Sequence, residues 1–330
     1  MRPRPRLRLR NPLVATGVTL ATGLSLASCG GPSGGEGPSA GRTVTVPTNK
    51  GDAEVPVKPI RVAVLDNTAF ATVRAFGVEP VAVPKGLLPR DGYQDWHKSP
   101  DVKDVGDHRE PRLEALNAAR PDLIIGGYRF SGHHAKLSKI ATTIDIAPSD
   151  TNYVDALRKQ TATLGRIFGQ EKKAEELVAG LDAAEGAAAK AVRGESVFLG
   201  VTSAGRIDNG ASRIGRLVER LDLRNVLPAD GQDSTSVHNN SGLAPETIAQ
   251  LDPEWMILLD RDSAVAEGGD KGTPARRLVE GQEAWADTTF RKKNQVVYLP
   301  SDFYLTEGIE SYTRAFEQLT AAFTASRQSH

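Results

Sequence analysis

The sequence predicts an α/β protein made of two three-layer α/β lobes with mainly parallel sheets, joined by a single long α-helix. Three observations predict it. Short apolar runs bounded by glycine, proline or acid alternate with helical periodicity over residues 61–148. The same alternation restarts over residues 196–324. Between them, residues 153–192 are rich in Ala, Glu, Lys and Leu and carry only the helical period. Strand–helix alternation requires crossover connections, and crossovers lay strands parallel with helices on both faces.

Taken in order, RVAVLD (61–66) reads as the first strand, followed by an apolar-periodic helix through Phe76. PVAVP (80–84) is a second strand. PDLIIGG (121–127) and TTIDIAP (142–148) are two more, with a helix from Ser131 to Ile140 between them. The stretch 151–193 would run about 60 Å at 1.5 Å per residue, longer than a domain is wide. It reads as a connector, with Gly165 and Gly169 as the points where it would break. SVFLGVT (196–202), EWMILLD (254–260) and QVVYLP (295–300) are the strands of the second lobe. Its helices fit Arg213–Leu221, Pro245–Leu251 and Ile309–Thr324. The expected divisions are therefore 1–28 signal peptide, 29–43 tether, 44–150 N-terminal lobe, 151–193 connector and 194–330 C-terminal lobe.

The N-terminus says where such a chain works. Arg2, Arg4, Arg6, Arg8 and Arg10 precede an apolar run, Leu13–Ala27, that is short for a membrane span. Leu26-Ala27-Ser28-Cys29 then follows the order Leu, small, small, Cys. This order predicts cleavage before Cys29 and lipidation of its thiolate. Cys29 is the only cysteine in 330 residues, so no internal disulfide is available. GGPSGGEGPSAG, which follows it, is a flexible tether. The formal charge of zero loses five positive charges with the signal and becomes −5. No excess of positive charge remains for nucleic acid. The expected location is the outer face of the cytoplasmic membrane, with the chain held there by lipid as a monomer.

One comparison within the chain suggests related lobes. PRLEALNAARPDLII (111–125) and LAPETIAQLDPEWMI (243–257) share a glutamate seven residues before a proline. In both, the proline ends a helix and an acidic residue leads into an apolar strand.

Several stretches together resemble the helical-backbone class of solute-binding proteins of bacterial ABC transporters, in particular the iron–siderophore group. They are VPVKPIRVAVLD, AFGVEPVAVPK, VGDHREPRLEALNAARPDLIIGG, ASRIGRLVERLDLRNV, APETIAQLDPEWMILLDRD and VVYLPSDFYLTEGIESY. The resemblance implies two lobes with a ligand held between them, no intrinsic cofactor, and binding rather than catalysis. The subgroup it is most similar to captures ferric catecholate siderophores. Their iron complexes are anions, which call for cationic donors around a concave site. By that resemblance Arg129, Arg213 and Arg261 line the cleft. Tyr304 in DFYLTEG and His238 in STSVHNNSG match positions that ligate iron when the siderophore is tetradentate and leaves coordination sites open. The adjacent His133 and His134 point about 100° apart on a helix and read as surface. The family docks on a permease, powered by a cytoplasmic ATPase, through one acid per lobe. The internal repeat points to Glu114 and Glu246, with Glu110 as a second candidate in the first lobe.

Other ligands of the same class of protein remain open: haem, a cobalamin or a hydroxamate siderophore. An anchored α/β hydrolase is the alternative from another class. Against it, no P-loop or dinucleotide G-x-G-x-x-G is present, and Cys29 is taken by the anchor.

Overall fold

In the computed structural model, which describes residues 42–107, 110–149, 151–229, 243–265 and 274–328, the first lobe is built on a five-stranded parallel sheet. An antiparallel hairpin precedes it, β1 (Thr43–Thr48) and β2 (Gly51–Pro56). Then come β3 (Val62–Val64), α1 (Phe70–Ala75), β4 (Ala82–Val83), α2 (Gln94–Lys98), β5 (Lys103–Asp104), α3 (Leu113–Ala119), β6 (Leu123–Gly126), α4 (His134–Leu137) and β7 (Thr142–Asp145). The order across the sheet is β5-β4-β3-β6-β7, every pair parallel. Val62–Val64 and Leu123–Gly126 are buried throughout, because helices cover both faces and no polar alternation is tolerated.

Two helices follow, α5 (Tyr153–Phe168) and α6 (Glu171–Ala191). The second lobe contains β8 (Ser196–Ser203), β9 (Arg206–Asn209), α7 (Ala211–Val218), β10 (Arg224–Asn225), α8 (Pro245–Leu251), β11 (Trp255–Leu259), α9 (Arg261–Val265), α10 (Ala275–Glu280), α11 (Thr289–Lys292), β12 (Val296–Leu299), α12 (Phe303–Thr306) and α13 (Ile309–Gln328). Its sheet runs β10-β8-β11-β12 in parallel, with β9 antiparallel to β8. Ala204 and Gly205 both have positive φ, 51° and 73°, which makes the tight turn between β8 and β9. The Asp262 carboxylate accepts both of their N–H groups.

The connector differs from the single long helix expected over 151–193. It is a pair of helices, and the break falls at Gly169. That residue adopts φ 64°, and its N–H donates to the Gly165 carbonyl, closing α5 in a left-handed cap. Gly165 does not break the helix. A Cβ there would lie 2.6 Å from the Ala174 Cβ, so its bare backbone lets α6 pack directly against α5. The pair ties the lobes together. Leu164, Ile167, Phe168 and Ala174 join the first lobe's core, whereas Tyr153, Leu157, Leu181, Ala184 and Ala188 join the second's.

Other differences have local causes. The helix expected over 131–140 is a tight turn from Tyr128 to His133 followed by the single turn of α4. In α4 only Leu137 is buried, so a longer apolar face has nothing to cover. The internal repeat is real in backbone: α3 and α8 each span seven residues. They end on the non-glycine left-handed residues Arg120 (φ 46°) and Asp252 (φ 38°), and each is followed by proline and a buried strand. Among the described residues, no helix is long and apolar enough to cross a membrane. Cys29 and His238 lie outside the described residues.

Replacing Gly165 with alanine should destabilise the protein by about 1–3 kcal/mol, since two helix backbones must part to admit one methyl. A lower urea midpoint with an unchanged m-value would show it. An unchanged midpoint would mean that the α5–α6 contact is looser than described.

Candidate functional site

In parallel α/β sheets, side chains meet ligands beyond the carboxyl ends of the strands, where the strand order reverses. Both lobes present such a point, at β3/β6 and at β8/β11. At the first, β6 runs into Gly127 (φ 112°) and Tyr128 (φ 48°). A Cβ on Gly127 would come within 2.5 Å of Asp145 Oδ1, so the chain turns sharply and projects Tyr128 and Arg129. At the second, Asp260 fastens the end of β11. Its carboxylate accepts from the Ser263 and Ala275 N–H groups and the Thr202 hydroxyl. That places Arg261 at the start of α9. Beyond β12, α12 carries Tyr304, and the β8–β9 hairpin leads to Arg213 in α7.

These side chains form one group. The Arg213 guanidinium lies 4.6 Å from the centre of the Tyr304 ring, and that of Arg261 lies 5.5 Å from it. Arg261 Nε donates to the Tyr304 hydroxyl at 3.3 Å. Arg261 also pairs with Asp262, 3.4 Å away. Tyr304 is 5% exposed. Cations against an aromatic face gain from its quadrupole, more so where water is thinned.

Beneath them is a wholly buried carboxylate. Glu307, in a left-handed conformation (φ 45°), is 0% exposed. Its Oε1 pairs with Arg213 at 2.9 Å and Arg216 at 3.4 Å. Its Oε2 accepts from the Tyr128 hydroxyl at 2.5 Å, and its carbonyl accepts from the Tyr153 hydroxyl at 2.9 Å. Burial works against the charge on Arg213 and Arg216, but the Glu307 carboxylate and the surrounding tyrosines together outweigh it, and both guanidinium pKa values are raised. Burial, then the same carboxylate, pushes the Tyr128 phenol up to about 12. Tyr128 thus stays a donor, and the Tyr128–Glu307 bond joins first lobe to second.

Of the residues expected from the sequence, Arg213, Arg261 and Tyr304 come together. Arg129 stands in the first lobe, its guanidinium 5.6 Å from the Tyr128 ring and its Nε buried without a hydrogen-bond partner. With Asn49, Ser131 and Asp145 it lines a concavity of about 520 Å³. His133 and His134 are half-buried at the turn into α4. Among the described residues, no three His, Cys, Asp or Glu side chains are grouped to hold a metal ion. Glu114 and Glu246 are exposed in the first turns of α3 and α8. Sequence reasoning missed Glu307, Tyr128 and Arg216. Arg216 was within reach, one helical turn beyond Arg213 on the same face. Glu307 was not, because an isolated glutamate reads as surface.

Two α/β lobes with facing strand ends, bridged by packed helices and holding a cationic, aromatic group between them, define a binding protein of the two-lobe class. The chain belongs to the periplasmic binding protein family, whose profile matches residues 62–303. It is a binding protein and not an enzyme, as are the relatives it matches. It is 27% identical to the petrobactin-binding protein YclQ of Bacillus subtilis, over 84% of this chain and 86% of that one. It is also 27% identical to the ferric-anguibactin-binding protein FatB of Vibrio anguillarum, over 80% and 82%. Among solved structures, the periplasmic catecholate-siderophore binding protein VctP of Vibrio cholerae superposes with a TM-score of 0.73 at 27% identity. It covers 86% of this chain and 100% of that one.

The seam between the lobes holds two further acids. Asp66, at the end of β3, accepts from Thr68 and Gln160. Burial raises it from 3.8 to about 7, with the charge on Asp145 adding and the Thr68 and Gln160 bonds opposing. Glu310, in α13, faces Thr72 of the first lobe across 3.4 Å. Burial raises it from 4.5 to about 7 against that bond. Both folded values lie above the ordinary ones, so between about pH 4 and 7 the folded chain keeps protons that the unfolded chain releases. The contribution of these acids to stability is full below that window and is lost as pH rises through it. Glu310→Gln should therefore gain stability relative to the parent as pH goes from 4.5 to 8, by about 1–3 kcal/mol. Urea unfolding at several pH values measures this, and a pH-independent difference would contradict it.

Proposed function

We propose that this chain is the solute-binding component of an ABC importer and that it captures a ferric siderophore of catecholate type between its lobes. The observation that carries the reading is the placement of Arg213 and Arg261 against one tyrosine ring at the strand ends of the second lobe. An anionic iron chelate presents many oxygen acceptors, and guanidinium forks donate to several at once without losing charge. The relatives named for petrobactin, ferric anguibactin and catecholate siderophores support this ligand class. Arg129 completes the cationic lining from the first lobe. For a tetradentate siderophore, Tyr304 and His238 fill the two open positions on iron, a phenolate oxygen and an imidazole nitrogen.

Cys29 carries the lipid that holds the domain to the outer face of the cytoplasmic membrane, and the mature chain works as a monomer. Glu114 and Glu246 meet arginines on the permease, one per lobe. Their exposure at equivalent first turns supports the pairing. Closure on the ligand is small. Besides Tyr128–Glu307, the Asn67 side-chain N–H₂ already donates to the Leu305 carbonyl across the seam at 2.7 Å.

Tryptophan-fluorescence titration with ferric catecholates, a ferric hydroxamate and haem tests the reading. Saturable quenching by the catecholates alone is expected; quenching by haem or hydroxamate alone would overturn it. Tyr304→Phe and His238→Ala should each weaken a tetradentate ferric complex tenfold or more, about 1.4 kcal/mol, and shift its charge-transfer band. Hexadentate complexes should be nearly unaffected. Parental binding and spectra in both variants would remove iron ligation from the proposal and leave the arginines alone.

A further inference from the structure

The buried anion under the arginines is the least expected feature of the site. A carboxylate with no solvent exposure is costly unless it is fully paired, and Glu307 is paired on every side. Arg213 and Arg216 bind one oxygen and Tyr128 the other. Two of these residues hold uncommon backbone to do so, Tyr128 at φ 48° and Glu307 at φ 45°. Such strain persists where the surroundings enforce a particular geometry. Arg213, the cation that Glu307 holds at 2.9 Å, is also the cation stacked on Tyr304. The negative charge of Glu307 therefore acts on whatever occupies the space beside that ring.

We propose that Glu307 is a specificity-determining residue that sets the net charge of the ligand this site accepts. The inference rests on the ferric catecholate reading above. A catecholate carries two negative charges, so two of them on Fe(III) give a complex of −1 and three give −3. Glu307 offsets part of the positive field of Arg213 and Arg216. Arg213, Arg216 and Glu307 together leave one net positive charge, which matches the singly charged bis-catecholate complex, whereas a triply charged tris-catecholate carries more negative charge than the trio offsets. The same match favours the complex whose open iron positions face Tyr304.

The test uses the full mature chain and two probes, the ferric complexes of a synthetic bis-catecholamide and a synthetic tris-catecholamide with the same spacer. Fluorescence titration gives Kd for each at low and at physiological ionic strength. The parent should bind the bis-catecholate complex more tightly. Glu307→Gln should improve the tris-catecholate complex relative to the bis-catecholate by tenfold or more at low salt, an effect that shrinks as salt screens it. Glu307→Asp keeps the charge and should keep the parental ratio. Thermal melting of each variant reports folding. A parent that binds the tris-catecholate at least as tightly overturns the inference whether or not any variant folds. So does a Glu307→Gln variant that folds and changes both affinities by the same factor, the result expected of a purely structural strap. Failure of the parent to bind either complex would instead sink the catecholate reading itself.

Discussion

The arrangement of this protein depends on one buried carboxylate. Glu307 sits where the turn between α12 and α13 of the second lobe meets the loop that follows β6 of the first lobe, and it bonds to Tyr128 of that loop and to Arg213 of its own lobe. Removed from water, it holds two guanidiniums that would otherwise be costly to bury, and they in turn make its own burial tolerable. The position of Arg213 over the Tyr304 ring, the inward turn of Tyr128 and the closeness of the lobes all follow from that mutual dependence. Gly308 reinforces it, because a Cβ there would lie 2.5 Å from the Thr68 carbonyl oxygen. The backbones of the two lobes are in contact at this seam.

The scaffold explains why chemistry collects there. Each lobe is a mainly parallel sheet with one reversal of strand order, and each reversal opens a crevice at the carboxyl ends of the strands. The helices α5 and α6 link one hydrophobic core to the other, and hydrogen bonds at the strand ends bring the two crevices together. The matched units at α3–β6 and α8–β11 show how a repeated piece of chain supplies both sides. The helix ends, the left-handed caps and the prolines correspond, while the loops that follow have diverged into Tyr128–Arg129 on one side and Arg261 on the other.

The charge balance of the site is more restrained than a count of arginines implies. Arg213 and Arg216 share Glu307, and Arg261 lies against Asp262. A binding protein must release its cargo as well as hold it, and a cationic site tempered by fixed anions keeps attraction finite. The raised acids Asp66 and Glu310 at the same seam belong to this economy of charge: burial there favours their neutral forms.

The sequence by itself determined the strand–helix alternation, the two lobes and the internal repeat. These depend on local periodicity and on proline and glycine positions, which are written along the chain. All seven expected strands form. The strands it did not reveal, β1, β2, β5, β9 and β10, are an edge hairpin, a second hairpin and two-residue pairings, too short or too polar to carry a pattern. Tertiary structure alone decided that the connector folds back on itself at Gly169, because both halves have core to cover. It alone brought Arg213, Arg261 and Tyr304, distant in sequence, to one ring. It alone buried Glu307, since a glutamate's burial depends on partners that only the folded lobes deliver.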